Sequence, residues 1–247
     1  MKPSILRTNA TPVYAFLSLI QSCLEVGESL EGRRILDCGA GGRVPPVALF
    51  AEQGMAASGL DIDEESLAKA REYVIERGLS IELAHGDMRG MPFEDASFDY
   101  VYEHYSMCHL SKADTQRAID EMRRVLKPGG LAFLGVIAID SWPKAWFGTE
   151  ASPGEFWGDE GGERTRHTMF ADSEADALVA GWEIVSKEKR VRYLREAAES
   201  LSAKEWAELR GEDDAAPTEA EWRTEYSQRT NACRYVHLYY YLRKLGE

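Results

Sequence analysis

A chain of 247 residues, 44% hydrophobic and 10% aromatic, can bury the core of one large domain or of a compact domain with an elaboration. Its 42 acidic against 29 basic residues give a formal charge of −13, and a surface of that sign repels phosphate backbones, which argues against nucleic acid as the main partner. No apolar run reaches bilayer length, the stretch from Tyr14 to Ile20 lacks the flanks of a secretory signal, and Cys23, Cys38, Cys108 and Cys233 form no CxxC pair. The expectation is a cytoplasmic protein with no membrane contact, no disulfide or zinc framework and no signature of a particular oligomer.

In chain order, residues 33–38 read as a buried strand ending at a glycine turn, and Pro45 to Gln53 as a helix whose prolines stand where a first turn tolerates them. Ala57 to Ile62 is a second strand. Glu64 to Arg77 is a helix with Leu67, Ala70, Tyr73 and Val74 on one face, closed by Gly78. Ser80 to Ala84, Phe98 to Tyr102 and Leu131 to Ile137 are the third, fourth and fifth strands. A helix from Lys112 to Leu126 precedes the last of these and is stopped by Lys127-Pro128-Gly129-Gly130. Strand–helix alternation with short connections predicts a doubly wound α/β sheet, mostly parallel, with helices on both faces.

After Ile139 the rhythm breaks. Ser141 to Arg166 is rich in Gly, Pro, Trp and acids and reads as loop. Ser173 to Ala180 reads as a helix, Trp182 to Tyr193 as a strand, Glu196 to Gln228 as a polar helical region and Arg234 to Arg243 as a final strand.

The chemistry concentrates at Asp37-Cys38-Gly39-Ala40-Gly41-Gly42. Glycines after a first strand let a ligand approach the backbone where a side chain would clash. Asp61, twenty residues past Gly41, ends the second strand, where a carboxylate can accept both hydroxyls of a ribose. These two features alone also fit an ordinary strand–helix junction. A dinucleotide fingerprint would need glycine at position 44, where Val44 stands. Asp37, two residues before the first glycine, suits a cationic amino group better than a pyrophosphate. A nicotinamide-dependent oxidoreductase is therefore the weaker reading.

Gly86-Asp87-Met88 follows the third strand, then Met91-Pro92-Phe93, and Phe98-Asp99-Tyr100-Val101-Tyr102 opens the fourth. With these motifs in order, the sequence from Arg33 to Ile137 resembles the class I S-adenosylmethionine-dependent methyltransferases, in particular the small-molecule group. The resemblance implies a Rossmann-like, seven-stranded sheet with S-adenosyl-L-methionine as cofactor and a small-molecule acceptor as partner. It implies a cofactor core over 33–139, an N-terminal helical cap over 1–30, and a lid with the later strands over 140–230.

By the same resemblance, Asp37, Gly39, Ala40 and Gly41 line the methionine and ribose portions of the cofactor. Asp61 binds the ribose and Ile62 packs on the adenine; Asp87 accepts the adenine amino group and Met88 flanks the ring. Glu103 and His104 stand where the methionyl part is met and substrate enters, and Tyr14 caps the cofactor from the N-terminal helix. Arg43 replaces the usual third glycine, with Pro45-Pro46 following at once. A non-catalytic binder of the same cofactor is the competing reading.

His104 is the candidate general base, because a histidine near neutrality can take a proton from a hydroxyl or amine; a structural histidine is the alternative. Asp99 reads as fixing a strand start. His109 and His167 have no partners at metal spacing, so no metal is expected. Trp142, Trp146, Phe147, Phe156 and Trp157 either roof an acceptor pocket or pack the loop. Trp206 and Trp222 read as an amphipathic cover, and Tyr239-Tyr240-Tyr241 as strand core.

Overall fold

The computed structural model describes residues 3–193, 220 and 234–246. Strand β1 (Arg34–Cys38) is buried at every residue but Arg34, the pattern of a strand covered on both faces. It pairs in parallel with β2 (Ala56–Asp61) on one side and β4 (Phe98–His104) on the other, Leu36 lying opposite both Ser58 and Val101. β3 (Glu82–His85) extends the parallel set beyond β2, and β5 (Leu126–Ala138) extends it beyond β4.

The connecting helices are those the periodicity predicts, trimmed at their ends. α2 (Val47–Ala51) is shorter than the apolar run suggested. α3 (Glu64–Glu76) starts where the Asp63 carboxylate accepts from the Glu65 N–H, and it buries Leu67, Ala70 and Val74. α4 (Lys112–Val125) starts at Ser111, whose hydroxyl accepts from the Asp114 N–H; it buries Thr115, Ala118, Ile119, Met122 and Val125, one stripe at helical spacing.

Lys127-Pro128-Gly129-Gly130 does not precede β5 as a separate turn. It is taken into the strand as an irregularity: Phe98 pairs with Leu126 and Tyr100 with Leu131, so the extra residues bulge out, Gly129 at φ +77°.

The sheet holds ten strands among the described residues rather than seven. Past β5, β10 (Arg234–Lys244) runs antiparallel between β5 and β9 (Trp182–Tyr193). The three additional strands begin within the segment that reads as loop, and the last runs four residues past it. β6 (Thr149–Ser152), β7 (Glu155–Glu160) and β8 (Glu163–Phe170) form an antiparallel meander. It joins the end of β5 through Ile137 opposite Met169 and Ala138 opposite Phe170. α5 (Asp172–Leu178) links the meander to β9. The expected helical region at 196–228, with Trp206 and Trp222, lies outside the described residues except for Ala220.

The N-terminal helix α1 (Pro3–Cys23) packs on one face of the sheet. Its Val13, Phe16 and Ile20 are fully buried. Phe16 meets Phe50 of α2, Tyr102 of β4 and Phe133 of β5 at ring separations of 6.4, 6.1 and 5.9 Å. Phe133 also stacks on Tyr102 at 5.0 Å and meets Tyr239 and Tyr241 at 5.2 Å each, so one ring ties three strands to the helix. The opposite face buries α4 and α5 against Val101, Leu134 and Tyr240.

Replacing Phe133 with alanine should cost about 3–5 kcal/mol of stability, the range for truncating a buried phenylalanine. Urea unfolding checks this. A loss under about 1 kcal/mol would mean that the face collapses around the gap instead of depending on the ring.

Candidate functional site

The carboxyl ends of β1, β2, β3 and β4 converge on one cavity of about 790 Å³, in the size range of small-molecule sites. The loop after β1 is built so that its neighbours can close on bare backbone. Gly39 has φ +92°, and a Cβ there would lie 1.7 Å from the Ser106 hydroxyl oxygen. Its N–H and that of Ala40 are held by the Leu60 carbonyl at 2.7 and 3.0 Å, which fixes the loop to the end of β2. A Cβ on Gly41 would lie 2.6 Å from both Asp61 Oδ2 and Ser66 Cβ. No residue but glycine meets either requirement without displacing a neighbour.

Asp61 ends β2 and is spent on the loops around it. Its Oδ2 accepts from the Gly41 N–H at 2.8 Å and its Oδ1 from the Asp63 N–H at 2.9 Å. The carboxylate thereby faces the cavity with its remaining lone pairs, beside Ile62 and the start of α3. Across the cavity, Asp87 and Met88 follow β3. Both Asp87 oxygens accept from Arg89, and this guanidinium holds the Asp87 carboxyl below the usual carboxylate range.

Of the residues singled out in the sequence, Gly39, Gly41, Asp61, Ile62, Asp87 and Met88 line this one cavity. The structure does not bring Asp37, Ala40, Glu103, His104 and Tyr14 to its wall. Asp37 is buried, and its Oδ2 accepts from the Val47 N–H at 2.8 Å, tying β1 to the start of α2. Ala40 is fully buried against Gly59. Tyr14, on the outer side of α1, is 56% exposed.

Glu103 is fully buried at the end of β4, opposite Cys38 of β1. Its Oε1 accepts from the Ser106 and Met107 N–H groups at 2.8 and 2.9 Å, while Oε2 has no hydrogen-bond partner among the described residues. Burial pushes the Asp37 carboxyl up to about 8 and the Glu103 carboxyl up to about 7. Backbone donors oppose the rise at both, Val47 for Asp37 and Met107 and Ser106 for Glu103.

His104 is buried behind Tyr105. Its Nε2 hydrogen-bonds the Tyr239 hydroxyl at 3.1 Å, and burial, with Arg190 nearby, lowers it to about 4. At neutral pH this imidazole is uncharged. Tyr105, which sequence reasoning did not single out, reaches the cavity instead. It has φ +77°, an outlier for an aromatic residue; its hydroxyl donates to that of Tyr235 at 2.8 Å and its ring packs 5.8 Å from His104. The only signal for it in the sequence is its place at the strand end after His104.

Other wall residues that the motifs do not mark are Arg89, Asp114 and the tip of the β7–β8 hairpin at Glu160 and Glu163. Phe147 and Phe156, part of the expected aromatic roof, are buried in a small core with Ile137 and Met169. Trp157 lies under the guanidinium groups of Arg164 and Arg166, at 4.7 Å from each. His109 and His167 meet edge to face at 5.5 Å, and no group of three or more His, Cys, Asp or Glu residues is placed to hold a metal among the described residues.

Residues 36–134 match the family of methyltransferase domains. The same region is 39% identical over 102 residues to 24-methylenesterol C-methyltransferase 2 of Oryza sativa subsp. japonica, covering 40% of this chain and 28% of that protein. It is 37% identical over 103 residues to demethylmenaquinone methyltransferase of Bacillus subtilis, covering 40% and 43%. The chain thus spans less than half the length of either relative. Among solved structures, a Methanosarcina mazei protein described as a SAM-dependent methyltransferase superposes with a TM-score of 0.62 at 20% identity, over 93% of this chain and 98% of the other. A Haemonchus contortus phosphoethanolamine N-methyltransferase in complex with S-adenosylhomocysteine superposes at 0.57 and 18% identity, over 94% and 53%. At these identities the likeness is one of fold.

Because the folded-state pKa of Asp37 is raised, the native state binds its proton more tightly than the unfolded chain. Stability from this group is complete below the unfolded carboxyl value, near pH 4, and declines as pH rises toward about 8. Asp37→Asn keeps an oxygen for the Val47 N–H and removes the titration. Thermal melts of the ligand-free protein from pH 5 to 8 should therefore show wild type losing stability relative to this variant. Parallel curves would show that Asp37 is ionised throughout.

Proposed function

We propose that this chain is a class I S-adenosylmethionine-dependent methyltransferase, its residues 36–134 matching the family of methyltransferase domains, and that it transfers a methyl group to a small-molecule acceptor by in-line displacement. The single observation that carries the reading is the convergence of Gly39, Gly41, Asp61 and Asp87 on one cavity at the carboxyl ends of the parallel strands. The residues present fit the cofactor. The glycine backbone is open where a ligand must approach, Asp61 and Asp87 are among the acids that line the cavity, and the buried Glu103 Oε2 lacks a partner among the described residues. The acceptors named for the relatives, a sterol and demethylmenaquinone, are small molecules, which supports that class here.

In this reading Asp61 holds the ribose hydroxyls with lone pairs left free by Gly41 and Asp63, and Asp87 with Met88 holds the adenine. The bound cofactor supplies a methyl group already activated on a sulfonium. The protein's work is positioning and exclusion of water. Asp37 and Glu103, behind the glycine loop, favour a cation in the cavity once ionised, and a cation there lowers their proton affinity in return. Tyr105 presents a phenol at the cavity wall, and His104, neutral and bound to Tyr239, sets the position of that ring. The free thiols of Cys23, Cys38 and Cys108 support a reducing, cytoplasmic setting. No helix among the described residues is long and apolar enough to cross a membrane.

Calorimetric titration with S-adenosylhomocysteine tests the reading. Micromolar binding is expected, with no response to NAD, and Asp61→Ala should weaken it at least about 30-fold, the loss of two hydrogen bonds to a charged acceptor. A folded protein that does not bind would overturn the assignment. Binding with no methyl transfer to any acceptor in a broad screen would favour a sensor over an enzyme.

A further inference from the structure

Arg89 is not among the residues that the motifs mark, yet its backbone and side chain both hold Asp87. Its backbone N–H donates to Asp87 Oδ1 at 2.8 Å, Nε donates to both Asp87 oxygens at 2.9 Å, and a terminal nitrogen donates to Oδ2 at 2.5 Å. The other terminal nitrogen reaches Asp114 Oδ2 at 3.2 Å. Asp114 stands in the first turn of α4, where the Ser111 hydroxyl and Arg117 also donate to its carboxylate at 3.0 and 3.2 Å. Asp87, Arg89, Ser111 and Asp114 all line the cavity. The loop after β3 is thus clamped to α4 through one guanidinium.

A carboxylate on a surface loop is free to rotate and to hydrate. One gripped by a planar fork has a fixed plane, and its remaining lone pairs point in fixed directions. Three N–H groups of Arg89 already take up most of its roughly four acceptor sites, so what it offers a ligand is narrow: the acceptor position left over, at a set angle. Such an edge accepts from an amino group and repels a carbonyl oxygen. The clamp therefore bears on which base can sit beside Asp87, and not only on whether the loop is ordered.

Resting on the cofactor reading above, we propose that Arg89 is a positioning residue that fixes the Asp87 carboxylate as an acceptor for the 6-amino group of the cofactor's purine and so sets its preference over a 6-oxo base. Arg89 acts through Asp87, and its tie to Asp114 anchors it to α4. Asp87 is thereby a pre-set half of the site and not a side chain recruited when ligand arrives.

The test measures the affinity of the full chain for S-adenosylhomocysteine and for its 6-oxo analogue, S-inosylhomocysteine, by calorimetry. Wild type should prefer the 6-amino ligand. Arg89→Gln should weaken S-adenosylhomocysteine about tenfold, the effect of loosening one charge-assisted contact, with the 6-oxo analogue unchanged, so that the preference collapses. Arg89→Lys, which keeps the charge without the fork, should recover only part of it. Adding Arg89→Gln to Asp87→Asn should change nothing further. Equal weakening of both ligands would mean that Arg89 merely supports the loop, and tighter binding of S-adenosylhomocysteine would mean that it blocks Asp87; either overturns the proposal. A wild-type chain that bound neither ligand would instead overturn the functional reading on which it rests.

Discussion

Everything at the top of this sheet depends on the absence of side chains at Gly39 and Gly41. The Ser106 hydroxyl occupies the space that a Cβ on residue 39 would take, and Asp61 with Ser66 occupies that of residue 41. Because these contacts are with backbone, the loops after β1, β2 and β4 close to within hydrogen-bond distance of one another. The Gly41 N–H meets Asp61, and the Ser106 and Met107 N–H groups meet Glu103. A methyl group at either glycine would force the loops apart and leave polar groups with no partners. The cavity is the space that remains when three loops are drawn together over strand ends buried on both faces.

Two kinds of acid surround that space, and the fold treats them differently. Asp37 and Glu103 lie at the ends of inner strands, where burial raises both carboxyls toward neutrality. Asp61 and Asp87 lie at the carboxyl ends of β2 and β3, next to backbone donors or to Arg89, and retain access to the cavity. Burial thus separates the acids pushed toward neutrality from those that reach the cavity wall. His104 follows the same logic. At the end of an inner strand, on the face covered by α1, it is desolvated and held by Tyr239, while its neighbour Tyr105 turns outward at positive φ.

The parallel half of the fold was legible because its strands are short apolar runs between helices with clear stripes, as Leu67, Ala70 and Val74 show in α3. The glycine loop, Asp61 and Asp87 were legible because spacing along alternating strands fixes which loop ends share an edge. The meander was not. β6, β7 and β8 carry charges and glycines at exposed positions, and only Phe156 and the end of β8 from His167 to Phe170 are buried, so no alternation stands out from 149 to 166. Nor can a pattern of residue types report that Tyr14 faces outward on α1, or that Asp37 turns toward Val47. Both depend on helices packed from elsewhere in the chain. Arg89 escaped for a similar reason: its second partner, Asp114, is brought to it only by the packing of α4.

The placement of β10 has a consequence for how the molecule comes into being. This strand, distant along the chain from β5, lies between β5 and β9, pairing with β9 from end to end and with β5 from His237 to Arg243. During synthesis the parallel half and β9 emerge with their facing edges bare, and those edges can meet only through a strand that is still to be made. Nascent chains of this architecture must carry two unpaired ribbons through the most crowded part of their life, exposed to self-association until the wedge arrives. The positive charges spaced along β9, at Lys187, Lys189, Arg190 and Arg192, fit that interval: they discourage two such ribbons from joining before the proper strand does.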